Sequence, residues 1–196
     1  MTMSSEDALQ DHLGKPDLDV SGEPGGGGSG ARPRFVIQRH DASRLHFDFR
    51  LEVGGVLKSW AVPKGPSTDP RDKRLAVPTE DHALDYIDFE GHIPHDHYGG
   101  GTVIVWDTGT YRNITEDDGE IVDMATALDA GHVKVWLDGH KVTGGYALTC
   151  TRLGDDDNQW LLVKVDDAEA DRRRNPAATQ LESVLSGRTN EDLEPA

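Results

Sequence analysis

The stretch Arg44-Leu45-His46-Phe47-Asp48-Phe49-Arg50-Leu51-Glu52 decides how the chain folds. Leu45, Phe47, Phe49 and Leu51 alternate with His46, Asp48, Arg50 and Glu52, the period of two that belongs to a β-strand lying with one face on a core. The other face must be solvent or chemistry. It carries an imidazole, a carboxylate and a guanidinium in a row, an order that a plain solvated strand has no need of.

Outward from this strand, Gly54-Gly55 is a turn and Val56 to Val62 a second apolar run, which together predict a hairpin. Further strands are predicted at Arg74 to Pro78, Thr102 to Trp106, His132 to Leu137, Gly145 to Arg152 and Trp160 to Asp166, each bounded by Gly, Asp or Asn turns. Lys64 to Arg74 reads as a Pro-rich, basic loop. Helices are predicted at Glu120 to Ala130 and, more weakly, at Ala177 to Leu185, with a short one near Ala8 to Leu13. The pattern is mainly β, and short strands with such turns predict an antiparallel β-barrel, with a closed sandwich as the alternative. Residues 1–33 are polar, with glycine from Gly25 to Gly28, and cannot offset the entropy of ordering, so they predict a flexible N-terminal arm. The barrel domain is expected over 34–167. A polar, flexible C-terminal tail is expected over 168–196, with the basic run Arg172 to Arg174 as an accessory DNA contact or a solvated stretch.

A chain of 196 residues suits one domain with tails. Its single cysteine, Cys150, allows neither an internal disulfide nor a zinc-type cysteine pair, which fits a reducing compartment. No signal-peptide pattern and no run of roughly 20 apolar residues is present, so the expectation is a soluble, cytoplasmic protein without a membrane partner. The net charge of −16 argues at first against nucleic acid. Between Arg32 and Arg74, however, ten basic residues face five acidic ones, net +5, while the remainder is net −21. A positive face on an acidic body can still bind phosphate.

His40, His46 and Asp48 form a mixed N/O set suited to a divalent metal such as Mn²⁺ or Zn²⁺. Side chains two apart on a strand lie roughly 6 to 7 Å from each other on one face, so His46 and Asp48 can share an ion. His40 must fold back across the turn at 41–43 to join them. Arg50 on the same face adds a guanidinium for a phosphate held by metal and arginine together. His82 and Tyr86 are four apart, a spacing that a helical turn would align. His82 could then act as hydrogen-bond donor or general acid and Tyr86 as donor, although an ordinary structural histidine is the simpler reading. Lys64 and Arg74 could neutralise phosphates or merely be solvated. His92, His95 and His97 form a rival metal cluster by spacing, although a structural or peripheral role is the simpler reading because no phosphate-binding partner is near them in sequence. Gly99 to Gly101 lacks the Lys-Ser/Thr ending of a phosphate loop, and no nucleophile elbow, zincin helix or Cys-His pair appears.

Phe35 to Glu52, Ser59-Trp60-Ala61-Val62-Pro63-Lys64-Gly65-Pro66-Ser67, Glu80-Asp81-His82, and Asp85-Tyr86 with Asp88-Phe89-Glu90-Gly91 closely resemble the 3′-phosphoesterase domain of bacterial DNA ligase D. The likeness spans about Asp17 to Asp166. It implies a β-barrel with a groove and a divalent metal, typically Mn²⁺, with Zn²⁺ or Co²⁺ as alternatives. His40, His46 and Asp48 match the metal ligands. Arg50, His82 and Tyr86 match the catalytic residues that engage the phosphate, and Gln38, Lys64, Arg74 and Glu80 match supporting, substrate-binding positions. Asp17 and Glu23 match an N-terminal arm that assists the diesterase step, but Pro16 replaces that arm's arginine and leaves one cation fewer near the substrate. The resemblance implies removal of 3′-terminal ribonucleosides and then of 3′-phosphates from DNA ends to give 3′-OH ends during non-homologous end joining. The implied partners are DNA 3′ ends, a separate ATP-dependent DNA ligase, a polymerase and Ku. No Lys-x-Asp-Gly nucleotidyl-transfer motif follows, so a stand-alone form is expected. The alternative is a non-catalytic DNA-end-binding module that recruits a separate ligase.

Overall fold

The computed structural model describes residues 31–151 and 159–196, so the expected N-terminal arm, with Asp17 and Glu23, lies outside the described residues except at its last positions. The alternating stretch is realised as β2 (Leu45–Val53). It pairs antiparallel with β1 (Arg34–Asp41) on one side and, through the Gly54-Gly55 turn, with β3 (Val56–Val62) on the other. Both turn glycines have positive φ, +60° and +83°, which is the conformation a two-residue hairpin turn demands.

The chain continues through β4 (Arg74–Ala83), β5 (Gly91–Ile93), β6 (Gly101–Asn113), β7 (Glu116–Asp117), β8 (Glu120–Ile121), β9 (His132–Asp138), β10 (Thr143–Thr151) and β11 (Gln159–Lys164). Eight strands in the order β1-β2-β3-β4-β11-β10-β9-β6 close into an antiparallel barrel when β6 returns to pair with β1. β5 adds beside β6, and β7 and β8 form a separate two-stranded ribbon. Closure removes the free sheet edges that would otherwise invite pairing with other chains.

The inward positions of the alternation fill the barrel. Phe47, Phe49 and Leu51 meet Phe35 and Ile37 of β1, Trp60 and Val62 of β3, Trp106 of β6, Leu137 of β9 and Leu148 of β10. Trp106 packs edge-on against Phe47, with ring centroids 5.3 Å apart. Each such side chain contributes about 1.5–3 kcal/mol by leaving water, which anchors the register of β2 and so the direction of its polar face.

Several element bounds differ from the sequence expectation. β4 runs past Pro78 to Ala83, and β6 continues well beyond Trp106 because its second half pairs with both β1 and β9. The helix predicted over Glu120 to Ala130 is only α1 (Met124–Ala130): Asp123 accepts from the Thr126 amide and caps it, while Glu120 and Ile121 belong to β8. The helix predicted over Ala177 to Leu185 is reduced to α2 (Pro176–Thr179), because Gln180 is extended where its carbonyl accepts from the Trp106 indole.

The segment over 168–196 is polar, as its composition suggests, yet it is laid against the barrel. The Val184 amide donates to the Val105 carbonyl, Ser183 meets the Glu90 carboxylate, and Asn190 is buried between Arg39 and Thr102. Hydrogen bonds, which hydropathy does not register, hold it there.

Candidate active site

The β1–β2 register sets His40 opposite His46, Gln38 opposite Asp48 and Val36 opposite Arg50. Because Phe35, Ile37, Phe47, Phe49 and Leu51 point into the barrel, these six side chains share its outer face. His40 thus joins His46 as a cross-strand partner, their rings 4.8 Å apart. The outer face is covered in turn by a 3-10 helix, Leu84–Asp88, whose Ile87 and Tyr86 form a second small core with Val36, Leu57, Val105 and Val184. That cover explains why Asp48 and Arg50, on the outside of a barrel, are only 6% and 3% exposed.

One donor atom from each of His40, His46 and Asp48 lies within 4.8 Å of the others. His40 Nδ1 is 3.4 Å from Asp48 Oδ2, and His46 Nε2 is 3.3 Å from Asp48 Oδ1. The remaining ring nitrogens face carbonyls: His40 Nε2 is 2.7 Å from the Gly99 oxygen and His46 Nδ1 is 2.9 Å from the Arg44 oxygen. A carbonyl can only accept, so in the neutral rings those nitrogens carry the protons and the two facing Asp48 carry lone pairs. Two lone pairs aimed at a carboxylate repel unless a cation lies among them. Ligands about 2.0–2.2 Å from one ion sit roughly 3–3.5 Å apart, and each imidazole nitrogen already lies at that distance from a carboxylate oxygen, so the donor set fits a divalent metal. A proton is the alternative cation. Burial alone would raise the Asp48 carboxyl, but hydrogen bonds from His40 and His46 and the Arg50 charge overcome it and hold Asp48 well below the usual carboxylate range. Burial likewise opposes protonation of His46, yet the Asp48 hydrogen bond and charge push its imidazole above the ordinary value. Metal and protons therefore compete for one pocket of negative potential.

Arg50 is held on all sides. Its Nε donates to Gln38 Oε1 at 2.8 Å, its Nη1 donates to Ser59 Oγ at 2.8 Å and approaches His82 Nδ1 at 3.1 Å, and its Nη2 lies 3.5 Å from Asp48 Oδ2. The guanidinium also sits over the Tyr86 ring, 5.2 Å from its centroid. Gln38 fixes both ends of this arrangement, since its amide nitrogen donates to the Tyr86 and Phe89 carbonyls at 3.0 and 3.2 Å.

His82 and Tyr86 are brought together, though not on a helical turn. His82 is the penultimate residue of β4, Ala83 is its extended last residue, and Tyr86 lies in the 3-10 helix, with the two rings 4.7 Å apart. A register shift between Leu57 and Ser59 in the β3–β4 pairing swings the end of β4 toward Arg50, a route that helical spacing does not anticipate. Burial first, then the Arg50 charge, pushes the His82 imidazole below its ordinary value, and burial raises the Tyr86 phenol. Both groups are thus neutral near pH 7. His82 Nδ1 lies 3.1 Å from an Arg50 donor and 3.0 Å from the Glu80 carbonyl, which only accepts, so the two contacts favour opposite tautomers, and the one in which Nδ1 accepts from Arg50 leaves Nε2–H free for a ligand.

The other expected residues stand apart. The Glu80 side chain is exposed, and its backbone carbonyl, 3.0 Å from His82 Nδ1, is what touches the cluster. Arg74 begins β4 and lies 3.6 Å from Asp72. Lys64 is exposed in the turn after β3 and has no partner among the described residues. Much of the positive window is neutralised locally, with Arg32, Arg34, Lys58, Arg71 and Arg74 facing acids, whereas Arg44, Lys64 and Lys73 are exposed and unpartnered among the described residues. Sequence reading did not single out Ser59, Arg44, Phe89 or the Gly99 carbonyl. Ser59, Arg44 and Phe89 lay within the quoted motifs, but nothing in the sequence marks a backbone carbonyl.

Residues 38–150 match the family model described as the DNA ligase D 3′-phosphoesterase domain. The Multifunctional non-homologous end joining protein LigD of Pseudomonas aeruginosa is 47% identical over 197 residues, 95% of this chain and 22% of that protein. The Mycolicibacterium smegmatis protein of the same name is 42% identical over 140 residues, 71% of this chain and 18% of its own length. The Multifunctional non-homologous end joining DNA repair protein LigD of Mycobacterium tuberculosis is 47% identical over 131 residues, 67% of this chain and 16% of its own. The chain spans about a fifth of the length of the curated relatives it matches.

Proposed function

We propose a function from one established premise: the chain belongs to the DNA ligase D 3′-phosphoesterase domain family. It is a divalent-metal-dependent phosphoesterase acting on DNA 3′ ends in non-homologous end joining. It removes 3′-terminal ribonucleosides to leave 3′-phosphates, and removes 3′-phosphates to leave 3′-OH groups. The observation that carries this reading is the convergence of His40, His46 and Asp48 beside the fixed Arg50 guanidinium, with His82 and Tyr86 on the same outer face.

His40, His46 and Asp48 would hold the ion, and their N/O donor set suits Mn²⁺, with Zn²⁺ and Co²⁺ compatible. When bound, the metal supplies Lewis-acid polarisation of a phosphoryl oxygen. Arg50 has committed Nε and Nη1 to Gln38, Ser59 and His82, which leaves Nη2 to donate to phosphate and to meet the charge that builds on its oxygens. Tyr86 offers its phenol, and His82 offers Nε2–H in the tautomer whose Nδ1 accepts from Arg50, both groups being neutral. Lys64 and Arg74 support the DNA backbone, and Arg44, on the carbonyl that orients His46, can do the same. Glu80 is assigned a supporting place at the substrate by resemblance, and its backbone carbonyl lies beside His82 Nδ1. Asp17 and Glu23 are assigned to the diesterase step by resemblance. A ligase, a polymerase and Ku would be the partners around the same end, and the cytoplasm the compartment. Among the described residues no helix is long and apolar enough to cross a membrane.

The test is a 5′-labelled primer-template ending in one 3′ ribonucleotide, incubated with Mn²⁺, Zn²⁺ or Co²⁺ and resolved on a gel. A 3′-phosphate product followed by a 3′-OH product is expected. DNA binding with no change in the primer under any metal would favour an end-binding module instead.

A further inference from the structure

We propose that this chain carries a second divalent-cation site, built by His92, His95 and Glu194, which fastens the C-terminal segment to the loop that orients His40. One donor atom from each of these three residues lies within 4.8 Å of the others, although Glu194 is 99 residues beyond His95. The sequence spacing pointed to His97 as the third member. His97 instead faces Asp96 at 3.7 Å, and the carboxylate comes from the far end of the chain.

Specific anchors produce the juxtaposition. His92 on β5 pairs with Thr102 on β6. Thr102 accepts from the Asn190 amide nitrogen through both its carbonyl, at 2.9 Å, and its hydroxyl, at 3.1 Å. Asn190 Oδ1 accepts from Arg39 at 2.7 Å, which buries the asparagine and locks the start of a 3-10 helix, Glu191–Leu193. Glu194 follows at once, its amide bonded to the Glu191 carbonyl. On the other side, His95 is fixed by a close backbone approach: a Cβ on Gly100 would lie 2.6 Å from the His95 Cα, so only glycine fits. The His92 and His95 rings then meet edge to face, with centroids 5.6 Å apart.

The chemistry favours a cation at this junction. His92 Nε2 is buried and has no hydrogen-bond partner among the described residues, an arrangement that is costly unless something satisfies it. Two imidazoles and a carboxylate are the donor set of a tetrahedral zinc-type site with one open position. Ligands about 2.1 Å from zinc are roughly 3.4 Å apart, so the side chains close in by small rotations when the ion enters. Exposed His95 and Glu194 have room for that movement.

The site bears on the first one through the loop. His95 is clamped on Gly100, and the preceding residue, Gly99, supplies the carbonyl that sets the His40 tautomer. An ion on His92, His95 and Glu194 would hold that loop and the C-terminal segment to each other, acting as a structural staple separate from the phosphoesterase reading.

The test counts metal on the full chain. Protein stripped with a chelator is dialysed against Zn²⁺ and the bound metal is measured by mass spectrometry. The wild type is expected to hold two equivalents, His95→Ala and Glu194→Gln one each, His46→Ala one, and the His46→Ala/His95→Ala double variant none. Circular dichroism of the metal-free variants checks that each is folded, and Glu194→Gln, an exposed isosteric change, serves if His95→Ala is not. A single equivalent in the wild type that disappears with His46→Ala would overturn the proposal, as would two equivalents that survive both His95→Ala and Glu194→Gln.

Discussion

Replacing Arg50 with alanine separates catalysis from folding. The guanidinium makes hydrogen bonds to Gln38 and Ser59, approaches His82 and Asp48, and lies over Tyr86, all at a position 3% exposed. Losing a donor that meets transition-state charge costs about 3–4 kcal/mol, a rate loss of roughly 10²- to 10³-fold. Stripping the partner from a buried carboxylate costs about 3–5 kcal/mol, within the 5–15 kcal/mol typical of a domain, so the variant folds but melts roughly 6–20 °C lower. Added Mn²⁺ compensates Asp48 directly, so part of that deficit is recovered when metal is present. Arg50→Lys keeps the charge and loses the planar fork, and should fall between the two. The assay is initial phosphate release from a 3′-phosphorylated primer-template with saturating Mn²⁺, paired with thermal melting with and without metal. A folded Arg50→Ala protein working within tenfold of the wild type would refute the role given to the guanidinium.

Gln38→Glu puts a second carboxylate oxygen where an amide now donates to the Tyr86 and Phe89 carbonyls, and should loosen the 3-10 helix. A fall in turnover of roughly tenfold or more, with a melting point lower by several degrees, is expected in the phosphate-release and melting assays. Lys164 is buried beneath Asp167, whose carboxyl is depressed: burial opposes this, but the Lys164 hydrogen bond and backbone amides outweigh it. A depressed folded value contributes stability above the unfolded value of about 3.9 and loses it as pH falls through the folded one. Urea unfolding should therefore show the wild type losing stability below about pH 4. Asp167→Asn should be less stable near pH 7 and should lack this component of the acid decline.

The barrel and the heart of the site were legible because both follow from local alternation. Once Phe47, Phe49 and Leu51 face inward, His46, Asp48 and Arg50 must share the outer face, and a hairpin from the turn at 41–43 brings His40 across. What surrounds that face was not legible. Its cover is built by contacts over long sequence separations, such as Ser183 with Glu90 and Asn190 with Thr102, in a segment whose polar composition suggested a solvated tail. His82 was found by its motif and placed on the wrong element, because a strand irregularity and an extended Ala83 accomplish what the spacing attributed to a helix. Lys64 came from one of the motifs and Arg74 from the resemblance as a whole, and neither touches the cluster.

The proposed chemistry requires one outer face of β1 and β2 to gather a cation and a guanidinium around a terminal phosphate. Crystals grown with Mn²⁺ and inorganic phosphate, measured at the manganese absorption edge, test it most directly. An anomalous peak is expected within coordination distance of His40 Nδ1, His46 Nε2 and an Asp48 oxygen, with phosphate density reaching Arg50 Nη2. Manganese bound elsewhere, in a protein that still releases phosphate from DNA 3′ ends, would contradict it.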